Sequence, residues 1–502
     1  MPEQGGPNAA PDGPASRGGG ELMTRRILLR LFLSAPLSLA TLVYLPILTR
    51  TLGKAQYGEW GLAMSVVTGV SAVATMGLAV VIPRFYAQDR EQGTFAQRFW
   101  SCLLFALVMA AAQYAVAWLF ADPLGSVIFN SAGGGPLSRA SVFLGIALSM
   151  RTFLSSLLRA RFELVRQSIL ELAITAARTA AILGLALWGA SVRELLWSQS
   201  LIEFSACVYL TLAAWRRVPL QGAKLTLPKT YFYYALPLLP AVALTWLGKN
   251  IERFVLVHLQ GQAMVGEYTV AFTVSSVLVT FSAAVNFVLL PQLAQAWTRE
   301  DRREQSAKLF ATANRNLLLL GLPVIVGLAL VWSDLVVFLT GRAFGVTWPV
   351  AALAAAGHLS SALYLANVYA LHLQLRTKLI LPLLASGVCL SVALSFGMIP
   401  SLGILGAATA FWAGQTINAM IAMGISRRLT GWSLPLNFFL RAGGACLAMG
   451  CLVAAAKGLG HFNLWALIAL GVAVYAASTL CLGLITMGQV KGFWGRLGPK
   501  AG

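Results

Sequence analysis

From end to end the chain alternates apolar runs of about twenty residues or more with short polar breaks that hold most of its charge. The runs fall near 27–48, 59–82, 100–121, 138–158, 169–190, 194–215, 232–258, 264–294, 316–340, 347–374, 378–398, 402–425, 437–457 and 463–487. About twenty apolar residues in a helix cross the ~30 Å hydrocarbon core of a bilayer. A backbone in hydrocarbon must bond to itself, so each run is predicted to be a helix. The expected fold is an all-α polytopic membrane protein with about 14 transmembrane helices. The eighth run is long and is expected to project into the cytosol. The first follows Arg25 and Arg26 as a signal peptide would, but it lacks a small-residue cleavage site and is long enough to span. It reads as the first helix. Residues 1–24, rich in Gly, Pro and Ala, read as a disordered cytosolic tail.

The breaks carry a second pattern. One set holds Arg17, Arg25 and Arg26; Arg84, Arg90 and Arg98; Arg159, Arg161 and Arg166; Arg216, Arg217, Lys224 and Lys229. It continues with Arg299, Arg302, Arg303, Lys308 and Arg315; Arg376 and Lys378; Arg427 and Arg428; Lys491, Arg496 and Lys500. The alternate breaks hold only Arg50, Lys54, Arg139, Arg193, Arg342 and Lys457, so 25 cations face 6 without a break in alternation. Short loops rich in Lys and Arg stay in the cytosol, which places both termini there. A missed or spurious span would invert every later loop.

Two stretches repeat at an offset of 208 residues. "LGKAQYGEWGLA" (52–63) aligns with "QGQAMVGEYTVA" (260–271), pairing Gly53 with Gly261, Gly58 with Gly266, Glu59 with Glu267 and Trp60 with Tyr268. The offset persists to Pro83 and Pro291. Run one then corresponds to run seven. The chain divides into a first lobe (25–215), a cytosolic linker (216–231), a second lobe (232–426), two further helices (427–487) and a cytosolic tail (488–502). Six spans per lobe is an even number, so both lobes enter the membrane in the same direction, as in transporters built from parallel repeats. Glu59 and Glu267 stand where helices start, and an acid there favours the helix dipole.

Composition narrows the class further. Of 502 residues, 58% are hydrophobic and 11% charged, with mean hydropathy +0.75, where a soluble domain carries roughly 25% charged residues. The net charge of +20 is spread over many loops rather than gathered on one face, which argues against a nucleic-acid partner. Cys102, Cys207, Cys389, Cys446, Cys451 and Cys481 lie inside apolar runs with no CxxC spacing. They are expected as small hydrophobes, with no disulfide, no metal site and no cofactor.

Six cations fall outside the loops. Arg30 and Arg441 lie near run ends and can reach the headgroups. Arg151, Arg178, Lys249 and Arg253 lie well inside runs four, five and seven, with the acids Glu171, Glu203 and Glu252 in runs five, six and seven. A charge at mid-bilayer costs roughly 2.5–3.5 kcal/mol on insertion scales, so these side chains are expected to face protein or water. Lys249 and Arg253, four apart, share a helix face, and Glu252 can offset part of their charge. Glu171, Thr175 and Arg178 form one polar stripe; Gln199, Ser200 and Glu203 form another. Two readings stand: a cationic cavity for a phosphate-bearing ligand, rimmed by hydroxyls and amides suited to sugar, or internal ion pairs such as Arg178 with Glu203 that only fasten helices. Asn286, His358, Asn367 and His372 add polarity, and the histidines read as packed side chains rather than proton carriers.

"LPILTRTLGKAQYGEWGLAMS" (45–65) and "LPLLPAVALTWLGKNIERFVLVHLQGQAMVGEYTVAF" (236–272) resemble bacterial polysaccharide flippases of the Wzx type. These belong to the multidrug/oligosaccharidyl-lipid/polysaccharide exporter superfamily. The helix layout, repeat and extra helices extend the likeness over nearly the whole chain. It implies two lobes around a cavity that opens alternately to either side of the bacterial cytoplasmic membrane. It implies a polyprenyl-pyrophosphate-linked glycan as cargo, membrane lipids as surroundings, and a polysaccharide polymerase and assembly machinery as neighbours. It also implies Arg151, Arg178, Lys249 and Arg253 as substrate-binding residues, with Glu171, Glu203 and Glu252 as ion-pair or coupling candidates. Arg253 follows an acid in "NIERF" (250–254), as in relatives, whereas no Asp stands at the middle of a run to carry Asp-based coupling. A lipid-linked peptidoglycan precursor flippase shares this cationic chemistry; a drug/cation antiporter would want an anionic or aromatic cavity. A glycan polymerase or glycosyltransferase would want a large extramembrane loop, and the longest one expected on the sparsely charged side is 122–137, with Asp122 as its acid. The expectation is a transporter, not an enzyme.

Overall fold

The computed structural model describes the backbone of residues 15–484, apart from 132, 221, 226, 299, 375 and 461, and side chains from residue 40 onward. Residues 1–14 and 485–502 lie outside the described residues, and with them Arg299, Lys491, Arg496, Lys500 and the side chains of Arg17, Arg25, Arg26 and Arg30.

Hydrocarbon-solvated sequence gives helix throughout. In chain order the helices are α1 (Ala15–Val73), α2 (Leu78–Glu91), α3 (Phe95–Leu119), α4 (Ala121–Phe129), α5 (Gly135–Ala160) and α6 (Leu164–Leu187). Then come α7 (Val192–Trp215), α8 (Lys229–Ala235), α9 (Leu239–Gln260), α10 (Gln262–Ser275), α11 (Val277–Trp297) and α12 (Arg302–Thr340). The last are α13 (Trp348–Leu373), α14 (Ile380–Leu402), α15 (Ile404–Thr430), α16 (Leu436–Gly458) and α17 (Leu464–Cys481). Among the described residues no strand occurs. Among the described residues twelve helical stretches are long and apolar enough to cross a membrane, so this is a multi-pass membrane protein. Runs one and two share α1, and run twelve, α15, is the further helix beyond those twelve.

Three boundaries differ from expectation. α1 begins at Ala15, inside the stretch expected as a tail. The segment 122–137 is mostly helical: Asp122 sits in the first turn of α4, Leu124, Val127, Ile128 and Phe129 give that helix an apolar side, and α5 begins at Gly135. The overhang belongs to run nine as much as to run eight. α12 has 39 residues, about 58 Å at 1.5 Å per residue and nearly twice the hydrocarbon thickness. Its protruding start carries Arg302, Arg303, Lys308 and Arg315. The ends of the molecule are called here the basic end, where α12 protrudes, and the sparse end, where α1 bends at Gly53.

The repeat is visible in backbone geometry. Gly53 has φ 69° and ψ −178°, and Gly261 has φ 82° and ψ 175°. A side chain is strained at such φ, which is why both turns use glycine. Past these turns the second part of α1 crosses α10 so closely that the equivalent glycines touch the opposite backbone. A Cβ on Gly58 would lie 2.0 Å from Gln262 O, and one on Gly266 would lie 2.2 Å from Lys54 O. Gly58 and Gly266 are repeat partners, as are Lys54 and Gln262, so the contact is reciprocal in the manner of a two-fold interface. Neighbouring ties follow suit: Thr49 Oγ1 donates to Leu339 O at 3.2 Å, and Asn130 Nδ2 donates to Val257 O at 3.2 Å.

Both halves also break this helix midway. Between α1 and α2, Met76 and Gly77 take φ 49° and 76°. The backbone groups freed there are bonded within protein: Gln113 Nε2 donates to Ala74 O at 2.9 Å, and Thr75 N donates to Ser149 Oγ at 3.2 Å. A lipid-facing break could not be satisfied this way. In the second half Ser276 interrupts the run between α10 and α11. The central packing joins both halves, with Leu45, Leu48, Tyr57 and Trp60 in one cluster with Leu256, Tyr268, Phe310 and Trp332. Exposed Leu119, Leu447 and Trp465 supply apolar surface for lipid. α16 and α17 attach to α12, where Tyr475 Oη donates to Leu319 O at 2.8 Å and Lys457 Nζ meets Asp334 Oδ2 at 2.7 Å.

Candidate functional site: a cationic cavity between the halves

Below the crossed glycine turns α1, α9, α10, α11, α13 and the start of α14 enclose a cavity of about 950 Å³. Its sparse end is shut. Lys54 Nζ meets Glu267 Oε1 at 2.5 Å, Gly345 N donates to the same oxygen at 3.2 Å, and Arg50 Nη2 donates to Phe338 O at 2.7 Å. From Tyr57 and Trp60 the cavity descends to Leu238 and Ile380, close in sequence to the cationic linker and Lys378, so it extends toward the basic end.

α9 supplies its charge. Lys249 and Arg253, one turn apart, both line the space. Arg253 is buried, with Nη1 donating to Asn250 Oδ1 at 2.8 Å and across the halves to Ser65 Oγ at 3.1 Å. Its guanidinium carbon sits 4.3 Å from the Phe272 ring centroid, a cation–π contact that holds the fork in orientation. Its Nε is buried with no partner among the described residues. Lys249 makes no hydrogen bond or ion pair among the described residues. His358 and His372 line the same space, and among the described residues no Asp or Glu lines it. Thr41, Ser65, Thr68, Thr245, Thr269 and Thr273 line it with hydroxyls. The cavity can therefore receive a multiply charged anion with an attached polyol, and its described lining offers no carboxylate to hold an organic cation.

Arg151 and Arg178 are placed elsewhere. Fully buried Glu203, on α7, accepts from Arg151 Nε at 2.5 Å and from Arg178 Nη1 at 3.1 Å, joining α5, α6 and α7. Gln199 Oε1 takes Arg178 Nη2 at 2.6 Å. Neither arginine lines the central cavity, so the four cations form two groups, one within the first half and one between the halves. Glu171 accepts from Gln167 Nε2 at 2.7 Å on its own helix. Among the described residues Glu252 forms no ion pair with Lys249 or Arg253: it is fully buried on the flank of α9 facing α14, where Ser391 Oγ donates to it. Three residues on from Lys249 it has rotated away from the cavity face. Asn367 pairs with Asn314 at 2.7 Å inside the second half, and Asn286 donates to Ser282 O at 2.9 Å; both are packing contacts.

The residues of the cavity roof and of α9 fall in a stretch that matches one known family. Residues 47–349 match the family described as "Polysaccharide biosynthesis protein". The chain belongs to that family. Among curated proteins none matches it in sequence. The fold of this polysaccharide biosynthesis family member is similar to solved flippases and transporters. The lipid II flippase MurJ, in an inward closed conformation, has 12% identity and TM-score 0.69, covering 91% of this chain and 98% of its own. An inward-facing multidrug resistance MATE family transporter of the MOP superfamily has 13% identity and TM-score 0.60, covering 80% and 98%. A Pyrococcus furiosus MOP superfamily transporter, described by a reversed polarity of its binding pocket, has 13% identity and TM-score 0.53 over the same shares.

In this family member the sequence left several cavity residues unmarked, chiefly Ser65, Trp246 and Phe272. Trp246 Nε1 donates to Ser65 O at 2.9 Å, closing the wall beside Arg253. One signal was present: Gly61, Ser65, Thr68 and Ala72 run at i, i+4, i+7 and i+11 along an apolar helix, a stripe of small and hydroxylated positions.

Proposed function

We propose that this protein is a flippase that carries a polyprenyl-pyrophosphate-linked oligosaccharide from the cytosolic to the outer leaflet by alternating access, for cell-surface polysaccharide synthesis. The basic end faces the cytosol, following the Lys and Arg excess of its loops. The observation that supports the reading is the cavity itself: Lys249 and Arg253 line it, and among the described residues no carboxylate does. Unaided passage would strip hydrogen bonds from a pyrophosphate and several sugars, at a few kcal/mol each. Arg253 supplies a fork for phosphate oxygens, Lys249 a mobile point charge, and the threonine and serine hydroxyls partners for sugar. The polyprenyl tail stays in the bilayer. The shut sparse end and the cavity reaching the basic end correspond to the loading state, and parting of Gly58 from Gly266 releases cargo on the other side.

A drug/cation antiporter is disfavoured by the lack of an acid among the described lining residues. A peptidoglycan-precursor flippase would use the same pyrophosphate chemistry, so cargo sugar is what separates the two. Transport of a fluorescent polyprenyl-pyrophosphate oligosaccharide across liposomes holding the purified chain tests the proposal. One hydrogen bond to a charged group contributes about 1.5–3 kcal/mol, so Arg253→Gln should weaken cargo binding about tenfold to a hundredfold. Wild-type transport by Lys249→Gln and Arg253→Gln alike would overturn it.

A further inference from the structure

A second basic pocket lies outside the central cavity, where the basic ends of α5, α6 and α7 meet. It holds about 190 Å³ and is open on one side. Arg161, Arg166 and Arg217 line it, and its inner wall is apolar, with Leu154, Leu170 and Leu210. Glu163 pairs with two of them: Arg217 Nη1 reaches its Oε2 at 2.8 Å and Arg166 Nη1 at 3.3 Å. Three guanidiniums against one carboxylate leave two positive charges. Arg161 spends Nη2 on Arg217 O at 3.2 Å, while its Nε is buried with no partner among the described residues. Tyr209 Oη accepts from Arg166 Nη2 at 3.4 Å.

The geometry points to a site for an anionic phospholipid, its phosphate among Arg161, Arg166 and Arg217 and one acyl chain along the leucine wall. Basic pockets between membrane helices hold anionic headgroups in this way, with about 1 kcal/mol, or roughly fivefold in affinity, for each cation near the surface. A free anion would gain nothing from the apolar wall, and a lipid without net charge nothing from the two surplus charges. Phe162 adds to the argument. It follows Arg161 in the chain and is 73% exposed, on backbone held at φ 57°, a region a non-glycine residue rarely takes. An apolar ring so presented can insert at the boundary between headgroups and acyl chains. The inference rests on membrane placement alone and stands or falls apart from the identity of the cargo.

The test is native mass spectrometry of the purified full-length chain titrated with dioleoyl phosphatidylglycerol, with dioleoyl phosphatidylcholine and inorganic phosphate as separate arms. Phosphatidylglycerol should be retained at least tenfold better than phosphatidylcholine, and millimolar phosphate should not displace it. Arg161→Gln and Arg166→Gln should each lower its retention about fivefold, with Arg376→Gln/Lys378→Gln as a control at the same end of the other half. Equal retention of the two lipids overturns the proposal without any variant. So does displacement by phosphate alone, or an equal loss in the control, which would indicate diffuse attraction to a basic surface.

Discussion

Glu203→Gln removes one negative charge from between two guanidiniums and alters almost nothing in volume. In the wild-type protein Glu203 is fully buried and accepts from Arg151 at 2.5 Å and Arg178 at 3.1 Å, while those two side chains are 14% and 22% exposed. A glutamine carbonyl can serve one arginine, and its amide then opposes the other. Breaking a buried ion pair from one side costs about 3–5 kcal/mol, because the partner charge stays behind uncompensated. Arg151→Gln leaves Glu203 paired with Arg178 and should cost less, about 1.5–3 kcal/mol for one charged hydrogen bond. Thermal unfolding of the purified full-length variants in one detergent should therefore rank wild type above Arg151→Gln, and Arg151→Gln above Glu203→Gln. A Glu203→Gln protein that melts with or above Arg151→Gln would refute the reasoning. The same series assigns the arginines: if the triad only fastens α5, α6 and α7, Arg178→Gln lowers stability and keeps most transport per folded molecule. An Arg178→Gln protein of wild-type stability that no longer transports would place Arg178 on the cargo instead.

Further outcomes follow from the roof, the fork and the loops. Arg253→Lys keeps the charge but loses the planar fork over Phe272, so transport should fall between wild type and Arg253→Gln; transport equal to wild type would show that charge alone suffices. Gly266→Ala puts a methyl group 2.2 Å from Lys54 O, and the roof should loosen, seen as faster thiol labelling from the sparse end of a cysteine placed at Ser65; unchanged labelling would count against close approach as the seal. Lys54→Met should act in the same direction, by releasing Glu267. At Glu163, outside the spans, burial pushes the carboxyl pKa up, but Arg217 and Arg166 more than offset this and hold it below the ordinary value. Its contribution is thus present above the unfolded carboxylate pKa and lost as pH falls through the lowered one. Melting temperature should drop on acidification through that range in wild type, and less so in Glu163→Gln.

Much of the fold could be read before any coordinates because lipid permits so few solutions. Run length, helix and alternation of loop charge constrain one another, and the Gly53 and Gly261 turns marked the repeat through a residue type that their backbone geometry requires. The site was only partly legible. Lys249 and Arg253 could be set on one face by their spacing alone, but whether Glu252 belonged with them depended on how α9 is rotated against α14. That rotation is fixed by contacts with Ser391, 139 residues away in sequence. Likewise Arg151 and Arg178 looked equivalent to Arg253 as lone intramembrane cations. Only the packing of α5, α6 and α7 brings one carboxylate to both. The helix α4 went unseen because nine residues are too few to show a period beside the long runs.

The mutual seating of Gly58 against Gln262 and Gly266 against Lys54 has an evolutionary reading. A patch that meets its own repeat equivalent is self-complementary, so a protein half this length, inserted in one orientation, could build the whole roof by pairing with an identical molecule. Joining two such genes end to end would keep that seal intact while freeing the copies to diverge, one toward a buried arginine–carboxylate triad and the other toward the cations that face the cargo space.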